Sequence, residues 1–573
     1  MIKKHGDTLH SQVQVLSLVA LNATGDMRYL GPSSGAFFAA YATSIARTLA
    51  SDKDPDGYLA IRSHVGRGGH DGTTSQAEQC ATLSVADVQL LLTSYGMWVH
   101  PLYPLIGLET LGRLVETCSS CQGTCGVDHE QAVEKSTDMA IFYLVMALGA
   151  MNQASTAKQM RLCHQPETIH DTLPKNHSPE YLYLRALSHF DCRTQLPRPS
   201  LKTIQVVLLI SIYGSYGPIG SSQWQLAGLA MRMATEIGLH YSPKVCNATE
   251  KDKNERACIF WTAYTVEMSL AYNLGRPPSI GDEHITTALP AAMSDALLAV
   301  HHVKHRQIQS RIISRVYCGN NAGEQTTMDQ KTSVISGLQA QLDEWRAGIP
   351  TQAEEAPAYP HSYWDRLYHG TSFVLHRASP LCPNPRPQSL EKCVRSAGAY
   401  IDDMVKILRN SNVPLSWMLV QGVLFAGLTM LITLRQGFHQ LGAHTGWSFM
   451  LVDVPAWTRK CSVCLAIVSE RWKEDLLLKL EAQFETLAND TLRVVSSAFS
   501  TQPPPPLEPQ DRPIAADQTR LADDLSGTGN TMDAFGDFEA GVWEQFDMFT
   551  DVLGFDTGQT FWNMFPTVSH DDS

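Results

Sequence analysis

The chain has 573 residues and a mass of 63.2 kDa, which exceeds one ordinary domain and predicts roughly two to four folding units or one extended helical array. Hydrophobic residues make up 44% and charged residues 18%, so most of the chain can bury a core. The net charge of −13 is carried by the end: no Lys or Arg follows Arg520, and residues 521–573 hold eleven Asp and Glu, so residues 1–520 are close to neutral and carry no general electrostatic footprint for nucleic acid.

Residues 1–24 read as a short leader. The apolar run 13–21 follows Lys3 and Lys4 as a signal peptide would, but the polar stretch Gly6–Gln12 intervenes and no A-x-A site follows. Next comes "RYLGPSSGAFF", residues 28–38, in which Gly31-Pro32-Ser33-Ser34-Gly35 matches the G-x-S-x-G nucleophile elbow. An elbow needs a core strand before it, a helix after it and an upstream oxyanion loop. Only about thirty residues precede Ser33, too few for those strands. The reading preferred here is a Gly-Pro-Ser turn, with Ser33 or Ser34 capping a helix that starts near Ala36.

Cys118, Cys121 and Cys125, with His129, have a zinc-like spacing but lack a second ligand pair, so a Cys-rich loop is expected and no metal site is assigned. The thirteen cysteines form no regular framework and read as reduced thiols of an intracellular protein. From about Gly25 to Ser500 the pattern is helix after helix. The apolar runs 139–151, 203–213, 224–239, 256–274 and 415–434 have helix length, and the turn clusters Pro197–Ser200, Gly214–Ser222 and Pro380–Pro387 separate them. No strand–helix alternation is seen, so the predicted fold class is all-α, with a disordered acidic C-terminal tail.

In "QWQLAGLAMRMATEIGL", 223–239, Trp224, Ala227, Met231, Ala234 and Leu239 fall near one helical face, with Arg232 and Glu236 at i,i+4 outside. In 254–280, Phe260, Trp261, Tyr264 and Leu274 form another buried stripe, and Gly275-Arg276-Pro277-Pro278 stops the helix. Asp402-Asp403 opens a pattern like the D-D-x-x-D of helical terpene cyclases, which hold Mg²⁺. Lys406 stands where the last Asp would be, and the competing reading is a solvated helix face. Asn489-Asp490 likewise lacks its later acidic residue. The uncharged run 417–434 reaches spanning length, but Gln421, Gly422, Gly427, Thr429 and Thr433 favour a buried core helix, and Cys461 and Cys464 read as core. "TQPPPPLEPQDRP", 501–513, is an extended spacer within a Pro-rich linker, 501–530. In 531–573 acidic residues interleave Phe535, Phe538, Trp543, Phe546, Phe549, Phe555, Phe561, Trp562 and Phe565. This composition is that of an activation segment that folds on a coactivator groove; a solubilising or self-docking tail is the alternative.

Two helices and their exit turn resemble the middle homology region of fungal zinc binuclear cluster transcription factors. Trp224, Gly228, Ala230, Arg232, Ala234, Gly238, Leu239 and His240 match W-x-x-x-G-x-A-x-R-x-A-x-x-x-G-L-H. Phe260, Trp261, Tyr264, Leu274, Gly275, Arg276 and Pro277 match F-W-x-x-Y…L-G-R-P, and Pro290 matches the closing Leu-Pro. "HPLYPLI", 100–106, and "GDMRYLGPSSG", 25–35, resemble the family's opening segments. The resemblance covers residues 25–500. It departs at Glu267-Met268, where the family has Asp-Arg, and in lacking two C-x₂-C-x₆-C halves for zinc.

The resemblance implies a nuclear transcription regulator, an activator of a secondary-metabolic gene cluster and not an enzyme, with residues 25–500 as its regulatory domain. It implies no catalytic residue, bound metal or cofactor in this chain; zinc enters only through a cluster outside it. The implied partners are a DNA-binding transcription factor, or DNA indirectly, and a coactivator, with homo- or heterodimerisation open and no membrane. The motif residues proposed to matter are Trp224, Gly228, Arg232, Gly238, His240, Phe260, Trp261, Tyr264, Glu267, Gly275, Arg276 and Pro277. A helical enzyme of secondary metabolism and a ligand-sensing helical domain are the competing readings.

Overall fold

The computed structural model describes residues 20–21, 27–28, 33, 83–120, 129–162, 178–190, 198–216, 223–242, 249–291, 296–318, 327–350, 359–410, 413–472 and 475–500. Two dipeptide strands, Ala20–Leu21 and Met27–Arg28, pair antiparallel. All other regular structure among the described residues is helical. In order the helices are α1 (Val85–Trp98), α2 (Leu108–Ser120), α3 (His129–Leu162), α4 (Pro179–His189), α5 (Leu201–Gly214), α6 (Gln223–Glu236) and α7 (Glu250–Leu274). Then follow α8 (Leu297–Ile312), α9 (Met328–Ala347), α10 (His361–His376), α11 (Pro387–Asn410), α12 (Trp417–Thr445), α13 (Val454–Trp472) and α14 (Asp475–Ser500). The all-α expectation holds.

Local chemistry sets the helix starts. Ser84, Ser178 and Ser200 each accept a backbone N–H three residues on, satisfying one of the donors that a helix start leaves open. Thr249 with Asp252, and Thr327 with Gln330, form reciprocal capping boxes. The apolar runs 139–151, 203–213 and 256–274 lie within α3, α5 and α7, while 224–239 runs three residues past α6 and 415–434 starts two residues before α12.

Helices pack mostly on their neighbours in sequence. α3 is flanked by α1, α4 and α5, and α5, α6 and α7 pack on one another. α7 leads to α8, and α8 through α11 follow as successive pairs, with α11 to α14 forming the last group. A single hydrophobic cluster runs through all of it. Close approach requires glycine at Gly149, where any Cβ would strike the backbone of Leu91.

The run 417–434 is a core helix segment, with Val423, Ala426, Met430, Leu431 and Leu434 fully buried. Among the described residues one segment, Lys135–Thr156, is long and apolar enough to cross a membrane, and 67% of its most apolar window is buried inside the protein. Cys461 and Cys464 are buried core residues, as read from sequence.

Candidate functional site

The two motif helices, α6 and α7, lie side by side. Ala227, Ala230, Met231 and Ala234 bury the inner face of α6 completely, and their small side chains let α7 come close. Phe260, Trp261, Tyr264, Met268 and Leu274 do the same for α7. α6 ends at Gly238, whose φ of +72° belongs to the left-handed region. The Gly238 N–H donates to the Thr235 carbonyl at 3.0 Å and the Leu239 N–H to that of Ala234 at 2.8 Å. The His240 carbonyl then accepts the N–H groups of Thr286 and Thr287 at 2.9 and 3.1 Å, pinning the segment that runs to Pro290.

α7 ends in the same way at Gly275, with φ +66°. The turn after it folds back over α6, so that the Arg276 guanidinium lies 4.6 Å from the centre of the half-buried Trp224 ring. Pro277 is exposed on that turn. Trp261 Nε1 donates to the Ala288 carbonyl at 2.8 Å, and Tyr264 Oη donates to Asp282 Oδ1 at 2.7 Å. Burial and the Asp282 carboxylate together push the Tyr264 phenol well above its ordinary value.

Glu267 is the polar centre of this unit. It is 2% exposed, and its Oε1 accepts both the Ser279 backbone N–H, at 2.9 Å, and the Ser279 hydroxyl. Burial raises its carboxyl above the usual range, while the Ser279 hydrogen bonds and the Arg232 guanidinium pull it down. Arg232 reaches that position across Gly228, where a Cβ would stand 3.4 Å from its Nη1 and 3.6 Å from Ser279 Oγ. The sequence pattern paired Arg232 with Glu236 on the outside of α6. In the structure the Arg232 guanidinium stands instead beside Ser279 and Glu267. The neighbouring helix thus brings a guanidinium near Glu267, which Met268 follows where the family pattern has Arg.

Beside α7 lies a cavity of about 190 Å³, lined by residues of α1, α5, α6, α7, α8, α10, α11 and α12. Three arginines border it, Arg306, Arg366 and Arg377, exposed by 6%, 8% and 1%. Arg306 donates to His302 Nε2 at 2.9 Å and to Gln309 Oε1 at 2.5 Å. Arg366 donates to Tyr400 Oη at 3.2 Å and stacks 5.0 Å from the Tyr363 ring centre. Arg377 donates to Tyr317 Oη at 3.1 Å and to the Ser33 carbonyl at 2.6 Å. Ser33 is buried in the cavity wall, and its hydroxyl donates to the Tyr272 carbonyl at 3.0 Å. That hydroxyl meets a backbone acceptor rather than a base, so the elbow chemistry has no support at Ser33. The helix expected near Ala36 lies outside the described residues.

Two other expectations change. Asp403 does not sit on a solvated face: it is 3% exposed and pairs with Lys406 at 2.9 Å, because α11 turns that side toward α10. Asp402 accepts from Trp457 Nε1 at 3.0 Å and pairs with Lys460 at 2.5 Å. Each carboxylate is thus engaged by a lysine. No group of three or more His, Cys, Asp or Glu suited to a metal occurs among the described residues. Cys121 and Cys125, the linker and the nine aromatics of the tail lie outside them.

The sequence pattern did not single out the arginine cavity. The signal available was in "HHVKHRQIQSR", 301–311, where His302, Arg306 and Gln309 recur at helical spacing among apolar residues.

Comparison with known proteins matches residues 92–298 to the model of the fungal specific transcription factor domain. That span runs from α1 to the start of α8 and contains the whole α6–α7 unit. Among curated relatives, Protein STB5 of Saccharomyces cerevisiae is 24% identical over 74% of this chain and 57% of its own length. The Pyrimidine pathway regulatory protein 1 of the same yeast is 23% identical over 40% of this chain and 28% of its own. The Positive regulator of purine utilization of Emericella nidulans is 20% identical over 66% of this chain and 44% of its own. The chain spans about half the length of STB5 and less of the other two. Residues 92–298 of this chain, about a third of its length, are therefore similar to the fungal specific transcription factor domain.

Proposed function

We propose that the chain is a nuclear transcription regulator of a fungus, an activator of metabolic genes. In this reading residues 25–500 form its regulatory body and residues 531–573 its activation segment. The observation that carries it is the α6–α7 unit. Its motif residues are held by the Gly238 and Gly275 turns and by the Glu267–Ser279–Arg232 contact, inside a span that matches the transcription factor domain. Family membership points away from an enzyme. The names of two relatives, a pyrimidine pathway regulatory protein and a regulator of purine utilization, agree with control of metabolism. DNA is reached through a DNA-binding partner or through a zinc cluster outside this chain, and the acidic-aromatic segment engages a coactivator.

Tethering the full chain to a heterologous DNA-binding domain tests this. The fusion is expected to activate a reporter about tenfold or more, and removal of residues 521–573 to abolish that output. A silent fusion of confirmed expression would remove the activator reading.

A further inference from the structure

We propose that the cavity between α7, α8, α10 and α12 is a binding site for a small organic anion, a single-ring carboxylate held by Arg306 and Arg366. The inference goes beyond the transcriptional reading and does not depend on it.

Arg306 and Arg366 are each more than nine-tenths buried. A guanidinium keeps its charge at any physiological pH, so burial cannot be relieved by losing a proton. Buried charges are ordinarily paired for that reason. Here every hydrogen-bond partner is neutral: the Gln309 amide oxygen, the His302 imidazole and the Tyr400 hydroxyl. His302 accepts through Nε2 from a group that can only donate, so it is the neutral tautomer and adds no negative charge. No Asp or Glu occurs among the described residues lining the cavity.

The two fully buried carboxylates among the described residues are engaged elsewhere, Glu267 with Ser279 and Asp403 with Lys406. Nε of Arg306 and Nε of Arg366 have no hydrogen-bond partner, and neither does Nε2 of Gln421 on the cavity wall. The start of α12 adds to this field. Ser416, Met418 and Leu419 line the cavity at its first turn, where helix N–H groups are open, and Ser416 makes no side-chain cap. The cavity therefore presents donors and positive charge with no carboxylate among its described lining residues.

Shape narrows the class. The wall also carries the aromatic rings of Trp98, Tyr103, Tyr216, Tyr359, Tyr363 and Tyr400, among aliphatic and small polar residues. Such rings favour a flat ligand over a hydrated inorganic ion. A cavity of about 150 Å³ holds one benzene. The 190 Å³ here accommodates one ring bearing one or two carboxylates.

The test uses the purified full chain and thermal unfolding with benzoate, 2-hydroxybenzoate and isophthalate as probes, each at 10 mM, and benzamide as the uncharged control. At least one carboxylate is expected to raise Tm by about 2 °C or more, with benzamide leaving it unchanged. Arg306→Met and Arg366→Met are each expected to abolish that shift. Because each removes an uncompensated buried charge, neither is expected to lower the Tm of the unliganded protein. The proposal is overturned if none of the three carboxylates acts, if benzamide acts equally, or if the shift survives in both variants. It is also overturned if both variants unfold at markedly lower temperature without ligand, since the guanidiniums would then be structural. Neither readout involves transcription, so a silent reporter and a failed shift remain separate results.

Discussion

Glu267→Ala is expected to destabilise the folded chain by about 3 kcal/mol, the low end for breaking a buried charge interaction. Glu267 is 2% exposed on α7 and accepts two hydrogen bonds from Ser279. Its removal leaves the Ser279 N–H without that acceptor, takes a neighbouring anion from the Arg232 guanidinium and opens a void between α7 and the turn. Arg232 itself is exposed, which keeps the cost from the top of the range. Glu267→Gln retains an acceptor oxygen of the same reach and is expected to cost about 1 kcal/mol. Urea unfolding followed by circular dichroism measures both. An alanine variant as stable as the parent would show that the contact contributes nothing to the α6–α7 unit.

Acidification from pH 7 to 5 is expected to remove most of the stability of the helical body. Burial holds His301, His369 and His376 down at about 4, and His302 and His305 well below their ordinary value of 6.5. Neighbouring cations reinforce this: Lys304 at His301, Arg306 at His302 and His305, Arg346 at His369, and Lys392 at His376. Above pH 6.5 these imidazoles are neutral in both states and the folded form loses nothing. Between 6.5 and about 4 the unfolded chain takes up protons that the folded chain refuses, so stability falls as pH falls. At pH 5 His301, His369 and His376 each contribute a loss of about 2 kcal/mol, and His302 and His305 act in the same direction. The three together already reach the lower end of the stability of a typical protein, about 5 kcal/mol. Glu267 and Asp403, both held above the usual carboxyl range by burial, work in the opposite direction but are fewer. Helical signal should therefore collapse with a midpoint between about pH 6 and 5. A urea midpoint unchanged from pH 7 to 4.5 would contradict these assignments.

Much of the helical pattern was legible because it is local. The stripe of Ala227, Met231 and Ala234 needs only the 3.6-residue period, and the stop at Gly275 needs only a residue that tolerates positive φ. The resemblance of α6 and α7 to the transcription factor family was carried by the same short motifs. What escaped depends on residues brought together from different helices. Arg232 has Glu236 at helical spacing, but Glu267 offers a partly desolvated partner across the helix pair, and the sequence does not show that Gly228 leaves room to reach it. Asp403 looks like a surface residue until α10 covers it. Arg306 on α8 lies 60 positions before Arg366 on α10 and 71 before Arg377 at its end, so no short window of sequence shows that they converge. Ser33 read as a local turn residue, whereas its hydroxyl bonds the Tyr272 carbonyl, 239 positions away.

The central claim is that this chain regulates transcription. It is tested most directly by chromatin immunoprecipitation of the epitope-tagged full chain in its own cells, combined with transcript levels after deletion of its gene. The account predicts enrichment at a limited set of promoters whose transcripts fall on deletion. A chain absent from chromatin, with transcript levels unchanged when it is lost, would contradict it.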